Sequence, residues 1–193
     1  DLDTVLWECA IKFGHVERVV ASAVLGFKNW KTTKTEERIS YLEKYKDQVL
    51  LRKDEIAIAI ALETGKPLWE AQTEVSSIAS KVDVTISDSL PRIADKSIEK
   101  ILPDTHGYVY HRPLGPCLIV GPFNFPCHLA NGQIVAALIS GNSVIFKPSE
   151  KTCYSAQLLI ECFHNAKFPE GVINFIQGDG ETGKRLISEK AIK

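Results

Sequence analysis

The sequence predicts an α/β protein with a helical amino-terminal region, a β-strand arm and an incomplete, doubly wound parallel sheet. Apolar residues recur at helical spacing through the first hundred residues. After residue 105, short β-rich runs alternate with helical stretches at the spacing of right-handed βαβ units. The chain has 193 residues, of which 45% are hydrophobic, and this is enough to bury one substantial core.

Three helices are predicted in detail in the amino-terminal region. The first begins at a capping box formed by Thr33 and Glu36. Asp54 caps the second, and a glycine and a proline at 65–67 end it. The third spans about 68–90, where apolar residues share one face.

The second half of the chain alternates strands with helices. The predicted strands are 108–112, 117–120, 144–146 and 172–176, and the predicted helices are 134–139, 153–167 and the residues from 181 onward. Ligands bind such sheets beyond the carboxyl ends of the strands. The loops after 117–120 and 144–146 are therefore candidate sites.

Composition excludes several function classes. The 23 basic and 24 acidic residues are spread along the chain, so neither nucleic acid nor a membrane surface is an expected partner. The longest apolar run, 56–62, is far shorter than the roughly 18 residues that cross a bilayer. Five cysteines without a Cys-x-x-Cys pair predict no metal site and indicate a reducing, cytoplasmic setting.

The sequence also looks incomplete. It contains no methionine, and it stops in a helical pattern where an α/β chain is expected to enter its next strand. We expect missing sequence at both ends.

A glycine-rich segment follows the last predicted strand. Gly178, Gly180 and Gly183 match the dinucleotide-binding fingerprint. Gly178, Gly183 and Lys184 also match a P-loop, except that Arg185 replaces the magnesium-binding Ser or Thr. The third interpretation is an ordinary glycine-rich turn between a strand and a helix.

Two further loops carry polar groups at strand ends. The run 121–126 (GPFNFP) is stiffened by prolines and aromatics and presents one polar side chain, Asn124. That amide is either an oxyanion donor or a tie for the loop's own backbone. Lys147 and Glu150, after the next strand, either bind a sugar diol or form a solvated turn.

The motifs at 121–126, 140–150 and 169–174, with Glu-Thr-Gly-Lys-Pro at 63–67, resemble the aldehyde dehydrogenase superfamily along essentially the whole chain. Within it, segments 63–75, 111–113 and 128–132 are most similar to N-succinylglutamate 5-semialdehyde dehydrogenases of arginine catabolism.

The resemblance implies a site and a cofactor. Asn124 matches the asparagine that holds the oxyanion after a cysteine attacks the aldehyde, and Lys147 and Glu150 match the pair that grips the adenosine ribose of NAD. A carboxylate at Glu150 favours NAD over NADP. The nucleophilic cysteine and the general-base glutamate lie beyond residue 193, and Cys127 does not match the nucleophile. The other implied cofactor-binding residues are Val120, Gly121, Pro122, Phe123, Pro148, Ser149, Gly178, which borders the adenine side, and Gly183, which serves close packing.

The resemblance also implies a domain plan. Residues 1–105 form the helical part of the cofactor-binding domain, 106–115 a strand of an oligomerisation arm, and 116–193 truncated, Rossmann-like NAD-binding βαβ units. The catalytic domain is absent, so the chain alone is expected to be inactive. The implied partners are a small aldehyde and further copies of the chain in a homo-oligomer. The alternatives are a noncatalytic split module and a phosphotransferase that uses the Lys184 loop.

Overall fold

The computed structural model describes residues 5–193, which form seven α-helices and five strands. The helices are α1 His15–Trp30, α2 Thr35–Leu51, α3 Lys53–Thr64, α4 Leu68–Val84, α5 His128–Ile139, α6 Cys153–Asn165 and α7 Gly180–Ser188. The strands are β1 Lys96–Leu102, β2 Thr105–Val109, β3 Cys117–Val120, β4 Val144–Lys147 and β5 Ile173–Phe175.

Helices cover both faces of a three-stranded parallel sheet of order β3-β4-β5. On one face, Ile145 and Ile176 pack with residues of α1 and α7. On the other, Val144 and Phe146 join the larger core formed by α2 to α6. The predicted α/β class and the doubly wound sheet are confirmed.

The larger core includes polar side chains whose hydrogen bonds connect its helices. The Trp30 indole donates to the Leu138 carbonyl at 2.9 Å. The Tyr45 hydroxyl donates to Asn131 Oδ1 at 2.8 Å, and the Asn131 amide donates to the Ile78 carbonyl. These bonds join α1, α2 and α4 to α5. Breaking one would leave a buried polar group unpaired, which costs about 1–3 kcal/mol.

Two predicted helix starts are wrong. Helix α2 begins at Thr35 after Lys34, without a side-chain cap, because the Thr33 hydroxyl instead donates to the Asn29 carbonyl at the end of α1. Asp54 is the second residue of α3 rather than its cap. The predicted stop is confirmed: Gly65 adopts a left-handed φ of 74°, and its amide donates to the Ala61 carbonyl.

The third predicted helix begins where expected but ends earlier. Helix α4 stops at Val84, and the chain continues as a π-helical turn, Thr85–Ser89, and a 3-10 turn, Leu90–Ile93. Pro91 lies within the second turn, so the helix has already loosened before the proline is reached.

The predicted strand 108–112 overlaps the second strand of a two-stranded antiparallel hairpin, β1–β2. Strand β1 lies in the region predicted to be helical up to residue 105, and β2 ends at Val109 instead of reaching Arg112. The isoleucines of β1 are separated by charged residues, which misled a search for helical periodicity. All seven residues of β1 are exposed, because the hairpin stands away from both cores.

No helix among residues 5–193 is both long and apolar enough to span a membrane. Over the same residues, no cluster of three or more His, Cys, Asp or Glu side chains is arranged to hold a metal ion.

At Gly26, helix α1 packs directly against the backbone of the turn before β5. A Cβ there would overlap the carbonyl of Gly171 in the turn before β5. We expect Gly26→Ala to lower the free energy of unfolding by about 1–3 kcal/mol, as overpacking does. Urea denaturation measures this change. Gly14→Ala is the matched control, since no atom lies within 4 Å of a Cβ there, and an equal loss in both variants would contradict the packing argument.

Candidate functional site

The loops after β3 and β4 meet at the carboxyl edge of the sheet. Val120 lies opposite Lys147 in the register, and the Gly121 amide extends the ladder by donating to the Lys147 carbonyl at 2.8 Å. Between the loops and α7 lies a cleft of about 350 Å³. Its lining residues are Val120, Gly121, Pro122, Phe123, Lys147, Ser149 and Glu150, with Gly180, Gly183, Lys184 and Ile187 of α7.

The structure thus brings together most of the predicted cofactor-binding residues. Pro148 and Gly178 are not among those that line the cleft. Gly121 has a steric reason to be glycine: a Cβ there would lie 2.9 Å from the Phe146 ring. The loop after β3 is therefore packed tightly against β4.

Lys147 is buried at the base of this cleft and is 3% exposed. Its ammonium donates to the Pro148 carbonyl at 2.7 Å and lies 3.9 Å from the exposed Glu150 carboxylate. Burial lowers the pKa of Lys147, and the negative charge of Glu150 partly opposes that shift. The pair joins a buried cation to an exposed carboxylate. The burial of Lys147 does not fit the solvated turn that remained possible from sequence.

Larger cavities lie elsewhere. One of about 650 Å³ is lined by α1, the end of β5 and the segment before α1, and one of about 740 Å³ lies between α2 and the base of the β1–β2 hairpin. We place the candidate site in the smaller cleft because backbone and charged groups of two strand-end loops converge there.

Asn124 lies in the loop after β3, beyond the residues that line the cleft. Its side chain is exposed. No hydrogen bond among residues 5–193 uses its side-chain amide, so the structure does not support the interpretation of Asn124 as a tie for its own loop. Its backbone carbonyl accepts a hydrogen bond from Lys66 Nζ at 2.9 Å.

Lys66 and Glu74, which sequence reasoning missed, hold this loop in place. Lys66 Nζ lies 2.8 Å from Glu74 Oε2 and 4.1 Å from the centre of the Phe125 ring. The other oxygen of Glu74 accepts from the backbone amides of Cys127 and His128, both at 3.1 Å, at the start of α5. The Glu74 side chain is fully buried.

Glu63 binds the start of the next helix, α6, as Glu74 binds the start of α5. Its two carboxylate oxygens accept from the backbone amides of Tyr154 and Ser155 at 2.7 and 2.8 Å, at the start of α6. The only sequence signal for Glu63 and Lys66 was the segment Glu-Thr-Gly-Lys-Pro at 63–67, which resembles the aldehyde dehydrogenase superfamily. That resemblance did not indicate what either side chain binds.

The glycine-rich segment forms a capped helix start. The Asp179 carboxylate accepts from the amides of Glu181 and Thr182, both at 3.1 Å, and these bonds, chiefly that of Thr182, lower the pKa of Asp179. A phosphate on these amides would have to displace a carboxylate, which disfavours both the fingerprint and the P-loop interpretations.

Gly183 is buried beside Lys147, but its position has no steric need for glycine. A Cβ there would make an ordinary contact, 3.7 Å from Lys147 Cδ. The close approach belongs to Gly178, where a Cβ would overlap the Thr182 side chain.

Cys127 is buried, and its thiol donates to the Ser155 carbonyl at 3.5 Å. Burial raises the pKa of this thiol well above its ordinary value. Only the thiolate form of a cysteine is nucleophilic, and a raised pKa keeps this thiol protonated. We therefore interpret Cys127 as a packing residue.

The strand-end cleft and the doubly wound sheet agree with the family comparison. The aldehyde dehydrogenase family model matches residues 8–193, and the chain belongs to that family.

Among its relatives, the chain is 40% identical over 181 residues to an N-succinylglutamate 5-semialdehyde dehydrogenase of Novosphingobium aromaticivorans, covering 94% of this chain and 38% of the relative. It is 44% identical over 162 residues to the enzyme of the same name from Legionella pneumophila strain Paris, covering 84% of this chain and 32% of that relative. The chain therefore spans about two fifths or less of the length of these curated relatives.

Solved structures share the fold. An NADP-dependent glyceraldehyde-3-phosphate dehydrogenase from Bacillus halodurans, complexed with NADP, matches with a TM-score of 0.89 and 30% identity over 95% of this chain and 40% of its own. An NAD-dependent aldehyde dehydrogenase from Sinorhizobium meliloti matches with a TM-score of 0.87 and 30% identity over 93% of this chain and 36% of its own.

The Glu63 cap offers a direct test of how α6 is held. We expect Glu63→Ala to lower the free energy of unfolding by about 1–3 kcal/mol, because two backbone amides lose a charged acceptor. Chemical denaturation measures the loss. Glu43→Ala removes an exposed carboxylate from α2 and should change stability by less than about 0.5 kcal/mol. Equal stability of the Glu63 variant and wild type would show that the cap contributes nothing.

Proposed function

We propose that this chain is the cofactor-binding part of an NAD-dependent dehydrogenase that oxidises N-succinylglutamate 5-semialdehyde to the carboxylate. The observation that carries the proposal is the convergence of the β3 and β4 loops on one cleft, with Lys147 at its base and Glu150 at its rim. The names of the relatives support the substrate. The aldehyde dehydrogenase fold supports a nicotinamide cofactor.

The proposed preference for NAD depends on Glu150. The exposed carboxylate is free to accept from the ribose 2′-hydroxyl, and it would repel a 2′-phosphate. The buried Lys147 ammonium would donate to the neighbouring hydroxyl. Of the two structural neighbours named above, one is NADP-dependent and the other NAD-dependent, so we assign the choice to this side chain rather than to the fold.

In the proposed reaction, Asn124 stabilises negative charge. NAD would supply the hydride acceptor. A cysteine outside this chain attacks the aldehyde carbon, and the side-chain amide of Asn124 donates a hydrogen bond to the oxygen that becomes negative. This adduct would lose a hydride, with NAD as the acceptor, and become a thioester. A glutamate outside this chain then activates the water that hydrolyses that thioester. The role of Asn124 is supported by its side-chain amide, which has no hydrogen-bond partner among residues 5–193, and by the anchoring of its loop through Lys66.

The β1–β2 hairpin supports a homo-oligomer. Both strands are exposed almost throughout, including Ile98, Ile101 and Tyr108. A two-stranded sheet with apolar side chains in water is marginally stable by itself. We therefore propose that the hairpin packs against another copy of the protein.

The five cysteines are free thiols, which supports the proposed cytoplasmic setting.

The oxyanion role of Asn124 is tested by Asn124→Ala in the full-length protein. We expect kcat to fall by roughly 10²- to 10³-fold, as loss of one oxyanion donor does, while the Kd for NAD stays unchanged because Asn124 does not line the cleft. Steady-state kinetics and NAD titration measure the two quantities. Unchanged turnover would remove the role.

Cofactor choice is tested by Glu150→Gln. We expect the ratio of kcat/KM for NAD over NADP to narrow, because the amide no longer repels a 2′-phosphate. Glu181→Gln, which neutralises an exposed carboxylate on α7, is the matched control and should leave the ratio as it is. An unaltered ratio in the Glu150 variant would assign the preference to other residues.

A further inference from the structure

Lys66 contacts the loop of Asn124 more directly than any other charged group described above. It lies between α3 and α4, and only 9% of its side chain is exposed. Its ammonium makes four contacts: the Glu74 carboxylate at 2.8 Å, the Asn124 carbonyl at 2.9 Å, the Glu70 carboxylate at 3.9 Å and the Phe125 ring at 4.1 Å. Two of the four partners belong to the loop itself.

These contacts fix the loop to the helical core. Glu74 pairs with Lys66 through one oxygen and binds the first amides of α5 through the other, so the loop and the helix that follows it share one anchor. The ammonium also lies over the ring face of Phe125, where a cation is attracted electrostatically. The backbone on which Asn124 sits is therefore held at its carbonyl and at the next side chain.

We propose that Lys66 is a positioning residue for Asn124: it fixes the backbone from which the exposed amide reaches the reacting oxygen. The proposal rests on the oxyanion role given to Asn124 above. Since the amide itself has no protein partner among the described residues, its direction depends on the backbone that carries it. A displacement of about 1 Å in such a group can cost about 10²-fold in rate.

The first measurement compares Lys66→Met with wild type in the full-length protein. We expect kcat to fall by about 10- to 100-fold, with the Kd for NAD unchanged, because Lys66 does not line the cleft. Lys46→Met is the matched control: it removes an ion pair of similar length, 2.7 Å, between α2 and α4 that does not touch the loop. A loss of NAD binding equal to the loss of kcat would overturn the proposal in favour of a general structural role.

The decisive measurement is a double-mutant cycle with Asn124→Ala. If Lys66 acts through Asn124, then Lys66→Met causes little further loss of kcat once the amide is gone. Losses that multiply would overturn the positioning role. An unchanged kcat for Asn124→Ala alone, with a reduced kcat for Lys66→Met, would instead refute the proposed oxyanion role and with it this proposal.

A second variant keeps the test open should Lys66→Met fail to fold. Lys66→Gln retains hydrogen-bond donors for the Asn124 carbonyl but lacks the charge that pairs with Glu74. We expect its kcat to lie between those of wild type and Lys66→Met, and the same cycle with Asn124→Ala applies to it. The proposal would be overturned if a structure of the Lys66→Gln variant lacked the contact with the Asn124 carbonyl and the variant still had the kcat of wild type.

Discussion

The carboxylates of Glu74 and Glu63 connect the amino-terminal helices to the sheet. Both belong to the hairpin of α3 and α4, and each binds the first free amides of a helix that follows a strand: α5 after β3 and α6 after β4. The loops that form the cleft lie between those strands and helices. The position of both loops therefore depends on how α3 and α4 are joined, which is set by the left-handed turn at Gly65.

Burying Glu74 has a cost that its neighbours must offset. An isolated carboxylate loses its hydration when it is buried, and breaking a buried ion pair by removing one partner costs about 3–5 kcal/mol. Glu74 is compensated by one ammonium and two amides, which together occupy both of its oxygens. A buried ion pair is poor evidence for stability, but here it sets the geometry of a loop that would otherwise be tied down mainly by its prolines. We therefore interpret it as a device for positioning.

Much of the fold could be predicted from local patterns. The strands at 117–120 and 144–146 are apolar, short and bounded by Gly or Pro, and the structure contains both as β3 and β4. Strand β1 could not be predicted in this way, because it is stabilised by pairing with β2 rather than by a buried face. Residues of the cleft followed from the rule that parallel strands point their carboxyl ends at one edge. Lys66 and Glu74 could not, because a sequence shows neither which carboxylate will reach an amide about fifty residues away nor which lysine will be buried beside it.

The helix starts at the carboxyl edge explain why the cleft differs from a glycine-fingerprint site. Three helices begin after β3, β4 and β5, and in each the leading amides are bound by a carboxylate of the protein: Glu74, Glu63 and Asp179. An anion could use those helix termini only by displacing a carboxylate that already benefits from the same partial charge. The charged side chains that line this cleft near the strand ends are the exposed Glu150 carboxylate and the buried Lys147 ammonium. A dinucleotide bound here would therefore be recognised through its ribose, and the placement of its phosphates would depend on groups other than these three helix termini.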